Sequence, residues 1–385
     1  MYKFPGSVHS KLPKVGTTIF TVMSKLAVDQ GAINLSQGFP DFPVSPHLVD
    51  LVYKHMREGR NQYPPMAGIP RLREVISAKQ ESLYSAQYDP ETEVTITAGG
   101  TQAIFTAIQA TIGEGDEVIL FTPAYDCYAP AIELVGGKPV YVQLNSDDYS
   151  IDWRQVKKLI SRHTKMIMLN TPHNPTGATL TSKDMKELIK ITKGSDIIIM
   201  SDEVYEHIIF DGQEHQSVSR YKELAERSFV VYSFGKTFHV TGWKTGYVLA
   251  PSNLMAEFRK VHQFNVFTAN APIQYALAEY MINSDNYMSV AAEYQRKRDV
   301  FLSAVEGSRF KVKPSKGTYF QLLDYSTISD EADTELAKRL TIEHKIASIP
   351  VSVFYHNPVQ NNVLRFCFAK EEETLLRAGE IISSI

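Results

Sequence analysis

The chain has 385 residues, 43% of them apolar, and its formal net charge of −3 at pH 7 argues against nucleic acid or an anionic membrane as the main partner. Its longest apolar runs, such as residues 197–200, are far shorter than the roughly 20 residues that span a bilayer, and residues 1–14 lack the apolar region of a signal peptide. The two cysteines, Cys127 and Cys367, fit a reducing compartment better than a disulfide framework, so we expect a cytoplasmic protein.

From about residue 93 onward, short apolar runs alternate with helical patterns along the chain. Strands are predicted at residues 93–97, 116–121, 138–144, 166–170, 196–202, 229–234 and 245–250. Helices are predicted between them at residues 101–112, 127–135, 151–160 and 181–192. Strands that are apolar throughout and spaced by helices indicate a mostly parallel sheet that is covered on both faces.

The pattern changes after about residue 275, where long charged helices such as residues 287–307 precede strand-like runs at 317–325 and 363–370. This change indicates a second, smaller α+β domain, which we expect the N-terminal residues to complete. The predicted division is residues 1–42 as an N-terminal arm and part of the small domain, residues 43–280 as the large domain, and residues 281–385 as the small C-terminal domain.

Polar residues follow five of the predicted strands at the point where each strand ends. In an open parallel sheet, ligands bind beyond the carboxyl ends of the strands, so these residues carry the functional signal. They are Gly99, Gly100 and Thr101; residues 122–125; Asn170 with residues 174–177; Asp202 with Tyr205; and residues 233–236. Because loops are polar in any protein, position alone does not give any of these residues a role.

The motifs that mark several common cofactors are absent from the sequence. There is no GxGxxG, no GxxxxGK[ST], no HExxH and no CxxC, so nicotinamide, nucleoside triphosphate and zinc all lack support. Residues 202–207 cluster carboxylates with a histidine, but a charged helix start explains them better than a metal site. A lysine, an aspartate, a tyrosine, an asparagine and a glycine-rich helix start remain. Pyridoxal phosphate needs a lysine for its Schiff base, an acidic partner for its ring nitrogen and a phosphate site such as a helix N-terminus.

Five motifs then show a family resemblance. They are NPTG at 174–177, DEVY at 202–205, SFGKTF at 233–238, GWKTG at 242–246 and RFCF at 365–368. Their order over about 190 residues resembles the fold type I aminotransferases of class I and II. Residues 37–43, 61–63 and 126–128 resemble the kynurenine/glutamine branch, and residues 17–27, 33–42, 201–208 and 233–237 are similar to bacterial methionine-preferring aminotransferases. The resemblance implies a PLP-dependent transferase fold of α/β class, with a mostly parallel seven-stranded sheet in the large, cofactor-binding domain and a smaller α+β domain.

The resemblance assigns catalytic roles to residues around the pyridine ring. Lys236 matches the lysine that forms the internal aldimine with pyridoxal phosphate and then moves a proton as base and acid. Asp202 matches the partner of the ring nitrogen, although an aspartate at a strand end is also a common helix cap. Asn174 and Tyr205 match the residues that bond the ring oxygen, and Tyr125 falls where an aromatic ring stacks on the pyridine.

The resemblance also implies a phosphate site that two subunits share. Gly100, Thr101, Ser233 and Lys244 would hold the phosphate from one chain. Most of the superfamily has arginine at the position of Lys244, and lysine is common in the kynurenine branch, where it supplies a point charge rather than a fork. The residue matching Tyr63 reaches the phosphate of the neighbouring subunit, so we expect a homodimer with composite active sites.

The substrate residues implied by the resemblance separate a carboxylate site from an apolar pocket. Arg365 matches the arginine that clamps the α-carboxylate, with Gly38 and Asn174 beside it. The side-chain pocket would be lined by Phe20, Tyr63, Phe267 and Phe354. Aspartate-specific relatives place an arginine near residues 265–274, a stretch that has no basic residue here. We therefore expect methionine to be preferred and aspartate to be poor, unless these rings are plain core and leave the preference open.

The implied reaction is transamination between a neutral, sulfur-containing or aromatic L-amino acid and a 2-oxo acid, with ping-pong kinetics. A kynurenine or glutamine aminotransferase, or a β-lyase acting on cysteine S-conjugates, would use the same residues. A non-catalytic regulator that binds pyridoxal phosphate is a remote alternative. Such regulators carry an additional DNA-binding module, and the aminotransferase pattern begins here by about residue 12, so we expect an enzyme.

Overall fold

The computed structural model describes residues 1–357 and 359–385. Its strands, in chain order, are β1 (Ile33–Asn34), β2 (Val94–Thr97), β3 (Glu117–Thr122), β4 (Lys138–Gln143), β5 (Thr164–Asn170), β6 (Ile198–Asp202), β7 (Ser228–Ser233), β8 (Gly246–Leu249), β9 (Lys311–Val312), β10 (Phe320–Asp324), β11 (Ile346–Ala347), β12 (Ile349–Pro350) and β13 (Val363–Cys367).

The α-helices, in the same order, are α1 (Ile19–Gln30), α2 (Pro46–Arg57), α3 (Pro70–Tyr84), α4 (Gly100–Thr111), α5 (Tyr128–Glu133), α6 (Trp153–Leu159), α7 (Ser182–Thr192), α8 (Lys222–Ala225), α9 (Phe234–Thr237), α10 (Ser252–Asn265), α11 (Ala271–Tyr280), α12 (Asp285–Met288), α13 (Val290–Ala304), α14 (Asp333–Glu343) and α15 (Glu372–Ser383). Short 3-10 helices lie at Val218–Arg220, Thr241–Trp243 and Ser352–Phe354. In the described part of the chain, no helix has the length and apolarity needed to cross a membrane.

A seven-stranded sheet forms the centre of the molecule, with strand order β2-β8-β7-β6-β5-β3-β4. Only β8 runs against the other strands, because it pairs antiparallel with both β2 and β7. The prediction of a mostly parallel seven-stranded sheet is therefore confirmed. The reversed strand places Gly246, at the start of β8, opposite Ser233 and Thr97, which end β7 and β2. The loop between β7 and β8 consequently lies at the carboxyl edge of the sheet.

The apolar runs of the sequence are strands that are buried on both faces. Along β3, Val118 and Leu120 belong to one core cluster, while Ile119 and Phe121 belong to another. Successive side chains of a strand point to opposite faces, so both faces need apolar residues when helices cover both. This is why the run reads as continuously apolar rather than alternating.

The helix predicted over residues 287–307 is divided in the structure. It forms α12 and α13, which meet at Ser289, and α13 ends at Ala304. The Ser289 hydroxyl donates to the Asp285 carbonyl at 2.7 Å. Such a bond from a side chain to the backbone competes with the regular hydrogen bonds of a helix, at the residue where α12 and α13 meet. Gly307 has a φ of +83°, a left-handed conformation that no continuing helix adopts.

A second core joins the two ends of the chain. Strands β12-β13-β10-β9 form an antiparallel sheet, and β1 pairs with β11 in a separate parallel pair. Met23 of α1 and Leu35 lie in the same apolar cluster as Leu336 of α14 and Ile346 of β11. The N-terminal residues thus pack with the C-terminal part, and the division at residues 42 and 280 stays a prediction.

Candidate active site

A cavity of about 330 Å³ opens at the carboxyl edge of the seven-stranded sheet. Its walls come from the ends of β2, β5, β6 and β7, from the segment after β3, and from β10 and β13. Most of the predicted site residues line it, namely Phe20, Gly38, Gly100, Thr101, Tyr125, Asn174, Asp202, Tyr205, Ser233, Lys236, Lys244 and Arg365.

Lys236 lies on the single turn of α9 that directly follows β7. Its Nζ donates a hydrogen bond to the Tyr319 hydroxyl at 3.0 Å and lies 5.6 Å from the ring centroids of Tyr205 and Tyr319. Burial lowers the pKa of this amine to about 8, so the neutral form of the Lys236 side chain is accessible near neutral pH. A neutral, desolvated amine is a nucleophile and a base.

Asp202 ends β6 at the base of the cavity and is 4% exposed. Its Oδ2 accepts from the Tyr128 hydroxyl at 2.6 Å, and its Oδ1 accepts from the Val204 N–H at 3.3 Å. Burial raises the pKa of the carboxyl to about 6, and these two hydrogen bonds, with nearby Lys236, keep it from rising further. Tyr128 was not predicted as a site residue, and only its place in the DCY stretch at 126–128 marked it.

Arg365, on β13, is 1% exposed and is tied to two elements. Its Nη1 donates to Asn174 Oδ1 at 2.7 Å, and its Nη2 donates to the Ser36 carbonyl at 3.2 Å. Its Cζ lies 3.8 Å from the ring centroid of Phe320, and within the described chain its Nε has no hydrogen-bond partner. Burial lowers the pKa of the guanidinium to about 10, so it remains a cation at neutral pH. A buried cation with an unused donor beside a cavity is suited to a carboxylate.

The N-terminus of α4 and Lys244 meet at another wall of the same cavity. Gly99 has a φ of +83° and caps the helix, and Gly100 and Thr101 supply first-turn N–H groups that have no partner within the helix. The Gln102 side chain turns back instead, since its Oε1 accepts from the Ala98 N–H at 2.9 Å. Lys244, in a left-handed conformation with a φ of +51°, approaches the Gly99 backbone. A helix N-terminus beside a lysine is an anion-binding arrangement.

Two tyrosines complete the walls. Tyr125 meets Tyr128 edge to face, with ring centroids 5.7 Å apart, and Tyr205 meets Tyr319 in the same way at 5.2 Å. Burial raises the pKa of both Tyr125 and Tyr205, so their hydroxyls keep their protons and can donate. Asn170, one of the predicted strand-end residues, also lines the cavity, as does Phe320, for which no site role is predicted. The sequence showed Phe320 only as part of an apolar strand.

Three predicted residues do not line this chain's cavity. Tyr63 is 83% exposed and contacts Phe267 edge to face, with ring centroids 5.5 Å apart, on the surface. Phe354 is buried behind Phe20, with ring centroids 5.9 Å apart, and its ring centroid lies 5.5 Å from Arg365 Cζ. Phe354 therefore supports the wall, while Tyr63 and Phe267 lie on the surface.

Comparison with known proteins gives one consistent result. The family model described as aminotransferase class I and II matches residues 30–382. The chain is 47% identical to the methionine aminotransferase of Escherichia coli K12 over 97% of both chains, and 33% identical to human kynurenine–oxoglutarate transaminase 1 over 92% of this chain and 93% of that one. The crystal structure of Escherichia coli YbdL, whose description reports a methionine aminotransferase function, superposes with a TM-score of 0.97, at 46% identity, over 99% of this chain and all of that one.

The raised pKa of Asp202 predicts a pH-dependent stability difference. A carboxyl whose pKa rises on folding, here from 3.8 to about 6, destabilises the fold progressively as the pH rises through that window. Asp202→Asn keeps an acceptor for Tyr128 and removes the charge. The ligand-free variant should gain free energy of unfolding over the wild type as the pH is raised from 5 to 8, by roughly 1–1.5 kcal/mol.

Urea unfolding at pH 5, 6, 7 and 8 measures this difference, and Asp50→Asn on the exposed face of α2 is the control, for which we expect no such trend. The pH-dependent part is diagnostic, since any change in packing adds a constant offset. A difference between Asp202→Asn and wild type that stays flat over this range would contradict the prediction.

Proposed function

The chain belongs to the class I and II aminotransferases, which use pyridoxal phosphate, and we propose that it transfers the amino group of a neutral L-amino acid, methionine above all, to a 2-oxo acid. The observation that carries the proposal is the meeting of a half-buried amine, a buried carboxylate and a buried guanidinium around one cavity. These are Lys236, Asp202 and Arg365. The reaction would run as two half-reactions at this one site, with ping-pong kinetics.

The residues around the cavity fit pyridoxal phosphate. The first turn of α4 and Lys244 offer N–H groups and a positive charge for a phosphate. Asp202 offers a buried carboxylate for a protonated ring nitrogen, and Lys236 offers an amine. Bound pyridoxal phosphate supplies an aldehyde that joins to amines and a ring that withdraws electrons from the carbon they carry.

Lys236 would act first as the covalent anchor and then as the proton carrier. After a substrate amine has displaced it, its Nζ takes the proton from the substrate α-carbon and later gives a proton back as an acid. The lowered pKa of the amine, about 8, supports both roles, because the neutral and charged forms are close in energy. Asp202 would keep a proton on the ring nitrogen, and Tyr128 would hold its carboxylate in place.

The remaining cofactor contacts follow from which hydrogen-bonding atoms are already used. Asn174 accepts from Arg365 through Oδ1, so its amide nitrogen is left to donate to the cofactor's ring oxygen, with the Tyr205 hydroxyl as a second donor. Tyr125 would stack on the ring. The phosphate would lie among Gly100, Thr101, Ser233 and Lys244.

The substrate would make two kinds of contact, one between its α-carboxylate and a charged residue and one between its side chain and an apolar wall. Arg365 would clamp the α-carboxylate with Asn174 and Gly38 beside it. Phe20, supported by Phe354, presents an aromatic ring to the side chain. A thioether gains about 0.3–1.5 kcal/mol from each sulfur–ring contact, whereas a carboxylate there would lose hydration without gaining a partner. Similarity to a human kynurenine transaminase supports kynurenine as a second amino donor.

A homodimer would complete the site. Tyr63 and Phe267 form an aromatic pair on the surface, and we propose that this pair enters the active site of a second copy of the chain. There Tyr63 would reach the phosphate and Phe267 the side-chain pocket. The free thiols of Cys127 and Cys367 support a reducing compartment such as the cytoplasm. The division at residues 42 and 280 belongs to the same proposal.

Lys236→Ala should abolish turnover, lowering kcat by more than about a thousandfold, because the variant lacks the anchor and the proton carrier. Borohydride reduction followed by peptide mass spectrometry should place the cofactor on Lys236 in the wild type and nowhere in the variant. Cofactor should still bind through the phosphate site. Lys25→Ala, on the exposed side of α1, is the matched control. Normal turnover by Lys236→Ala would refute the proposed function.

Methionine should be the best amino donor and aspartate a poor one. The measurement is kcat/KM for methionine, phenylalanine, tyrosine, leucine, glutamine, kynurenine and aspartate at one fixed 2-oxo acid. We expect methionine to exceed aspartate by at least about thirtyfold, the equivalent of roughly 2 kcal/mol of unpaired burial. Ammonia release from cysteine S-conjugates, assayed in parallel, measures any β-lyase activity. Aspartate at or above methionine would refute the apolar pocket.

Composite sites predict complementation between two inactive chains. In a heterodimer of Lys236→Ala and Tyr63→Phe chains, one site keeps both its own lysine and the partner's tyrosine. Random exchange makes about half of the dimers mixed, each with one intact site of two, so about a quarter of wild-type activity should return at limiting cofactor. Mixing that yields only the average of the two homodimers, or a monomer with full activity at high dilution, would contradict the shared site.

A further inference from the structure

Tyr319 is a buried side chain that the proposed catalytic roles do not use. It directly precedes β10, is 0% exposed, and places its hydroxyl between two groups of the site. The oxygen accepts from Lys236 Nζ at 3.0 Å, and the hydroxyl donates to the Gly38 carbonyl. Packing of the ring against Tyr205 and Phe320 accounts for the ring's position, but it does not require the hydroxyl to meet both groups.

The direction of these two hydrogen bonds follows from the atoms involved. A carbonyl oxygen only accepts, and a tyrosine has one hydroxyl hydrogen, so that hydrogen is committed to Gly38. Lys236 must then be the donor in the other bond. Burial raises the pKa of Tyr319 well above its usual value, so the hydroxyl does not lose the proton on which this arrangement depends. When the amine of Lys236 is neutral, its lone pair is therefore not used by Tyr319.

The position of Gly38, which accepts the hydrogen bond from Tyr319, is also constrained by packing. A Cβ on Gly38 would lie 2.8 Å from the ring of Phe320, so the segment packs directly on the residue that follows Tyr319. Two residues earlier, the Ser36 carbonyl accepts from Arg365. Residues 36–38 therefore help to position both groups. The guanidinium contacts this segment directly, and the amine contacts it through Tyr319.

We propose that Tyr319 is a positioning residue that holds the Lys236 amine by one N–H and leaves its lone pair directed into the cavity. The proposal rests on the proposed role of Lys236 as the cofactor's anchor. In that role Nζ adds to the aldehyde carbon and the aldehyde oxygen leaves as water, so the step needs no oxidant or reductant. The same lone pair is the base that receives the substrate proton.

The matched control for Tyr319→Phe is Tyr294→Phe. Tyr294 is also 0% exposed, lies in the same apolar cluster, and its ring centroid is 5.7 Å from that of Tyr319. Its hydroxyl forms a hydrogen bond with His239 Nδ1 at 2.9 Å, whereas that of Tyr319 accepts from Lys236. Both variants remove one buried hydroxyl, so a loss of general stability should affect them alike.

The experiment follows Schiff-base formation rather than turnover. The full chain is stripped of cofactor and mixed with pyridoxal phosphate, and the absorbance change is recorded from pH 6 to 10. A hydrogen bond donated to a neutral oxygen favours the charged amine, so removing it should lower the pH midpoint of the rate. The other charged or titratable groups facing the amine, namely Asp202, Tyr205, Cys367, Lys244 and Arg365, are the same in both variants.

For Tyr319→Phe we expect the rate plateau at high pH to fall about fivefold to tenfold and the midpoint to move to lower pH. The affinity for pyridoxine phosphate, which lacks the aldehyde, should change less than about twofold, and Tyr294→Phe should match the wild type in all three measurements. In a Lys236→Ala background, Tyr319→Phe should leave the affinity for pyridoxal phosphate unchanged, because the residue acts through the lysine.

The outcomes separate the two proposals. An unchanged plateau and midpoint in Tyr319→Phe, with a borohydride-stable link at Lys236, would overturn the positioning role and leave the proposed function intact. A wild-type protein that forms no link at Lys236 would overturn the proposed function itself. Loss of pyridoxine phosphate binding in Tyr319→Phe but not in Tyr294→Phe would assign Tyr319 to the shape of the cavity and also overturn the positioning role.

Discussion

Removing three ionisable groups from water around one cavity is the constraint on which the rest of this structure depends. Burial lowers the pKa of Lys236 to about 8, raises that of Asp202 to about 6 and lowers that of Arg365 to about 10. In each case desolvation is the largest cause, and each shift brings the charged and neutral forms closer in energy. A side-chain hydrogen bond holds each group, from the Tyr128 hydroxyl to the carboxylate, from the amine to the Tyr319 hydroxyl and from the guanidinium to Asn174, and backbone groups add one more bond for Asp202 and one for Arg365.

Lys236 and Asp202 meet because β6 and β7 are parallel, and the reversed strand β8 brings Lys244 and the first turn of α4 to the same edge. A wholly parallel sheet would carry the chain after β7 away over one face before the next strand. Instead, β8 returns beside β7, so Ser233, Gly246 and Thr97 lie at one edge in register. Gly246 has no space for a side chain, since a Cβ there would lie 2.4 Å from the Tyr232 carbonyl oxygen. The close approach lets the loop with Lys236 and Lys244 face the glycines that begin α4.

The sequence predicted the parts of this arrangement that are local. Continuous apolar runs identified the parallel strands, and the residues after them included Asp202 and Lys236. The direction of β8 could not be read in the same way, because a short apolar strand looks alike in both directions. The hydroxyls that hold the site come from Tyr128, 74 residues before Asp202, and Tyr319, 83 residues after Lys236. Apart from the DCY stretch at 126–128, nothing in the sequence near either tyrosine distinguishes it from a core residue, since the hydrogen-bond partner is set by tertiary packing.

The cavity lies between the seven-stranded and the four-stranded sheet, at a boundary that we call the seam. Some of the hydrogen bonds of the site therefore join the two sheets. Asp202 ends a strand of the seven-stranded sheet, and Lys236 and Asn174 follow two others, whereas Arg365 lies on β13 of the four-stranded sheet and Tyr319 directly precedes its strand β10. The bonds from Lys236 to Tyr319 and from Arg365 to Asn174 both cross the seam. Any shift of one sheet against the other must therefore change the setting of the amine and of the carboxylate clamp together. The position of the reacting amine and the grip on the substrate are in this way coupled through the packing of the two halves.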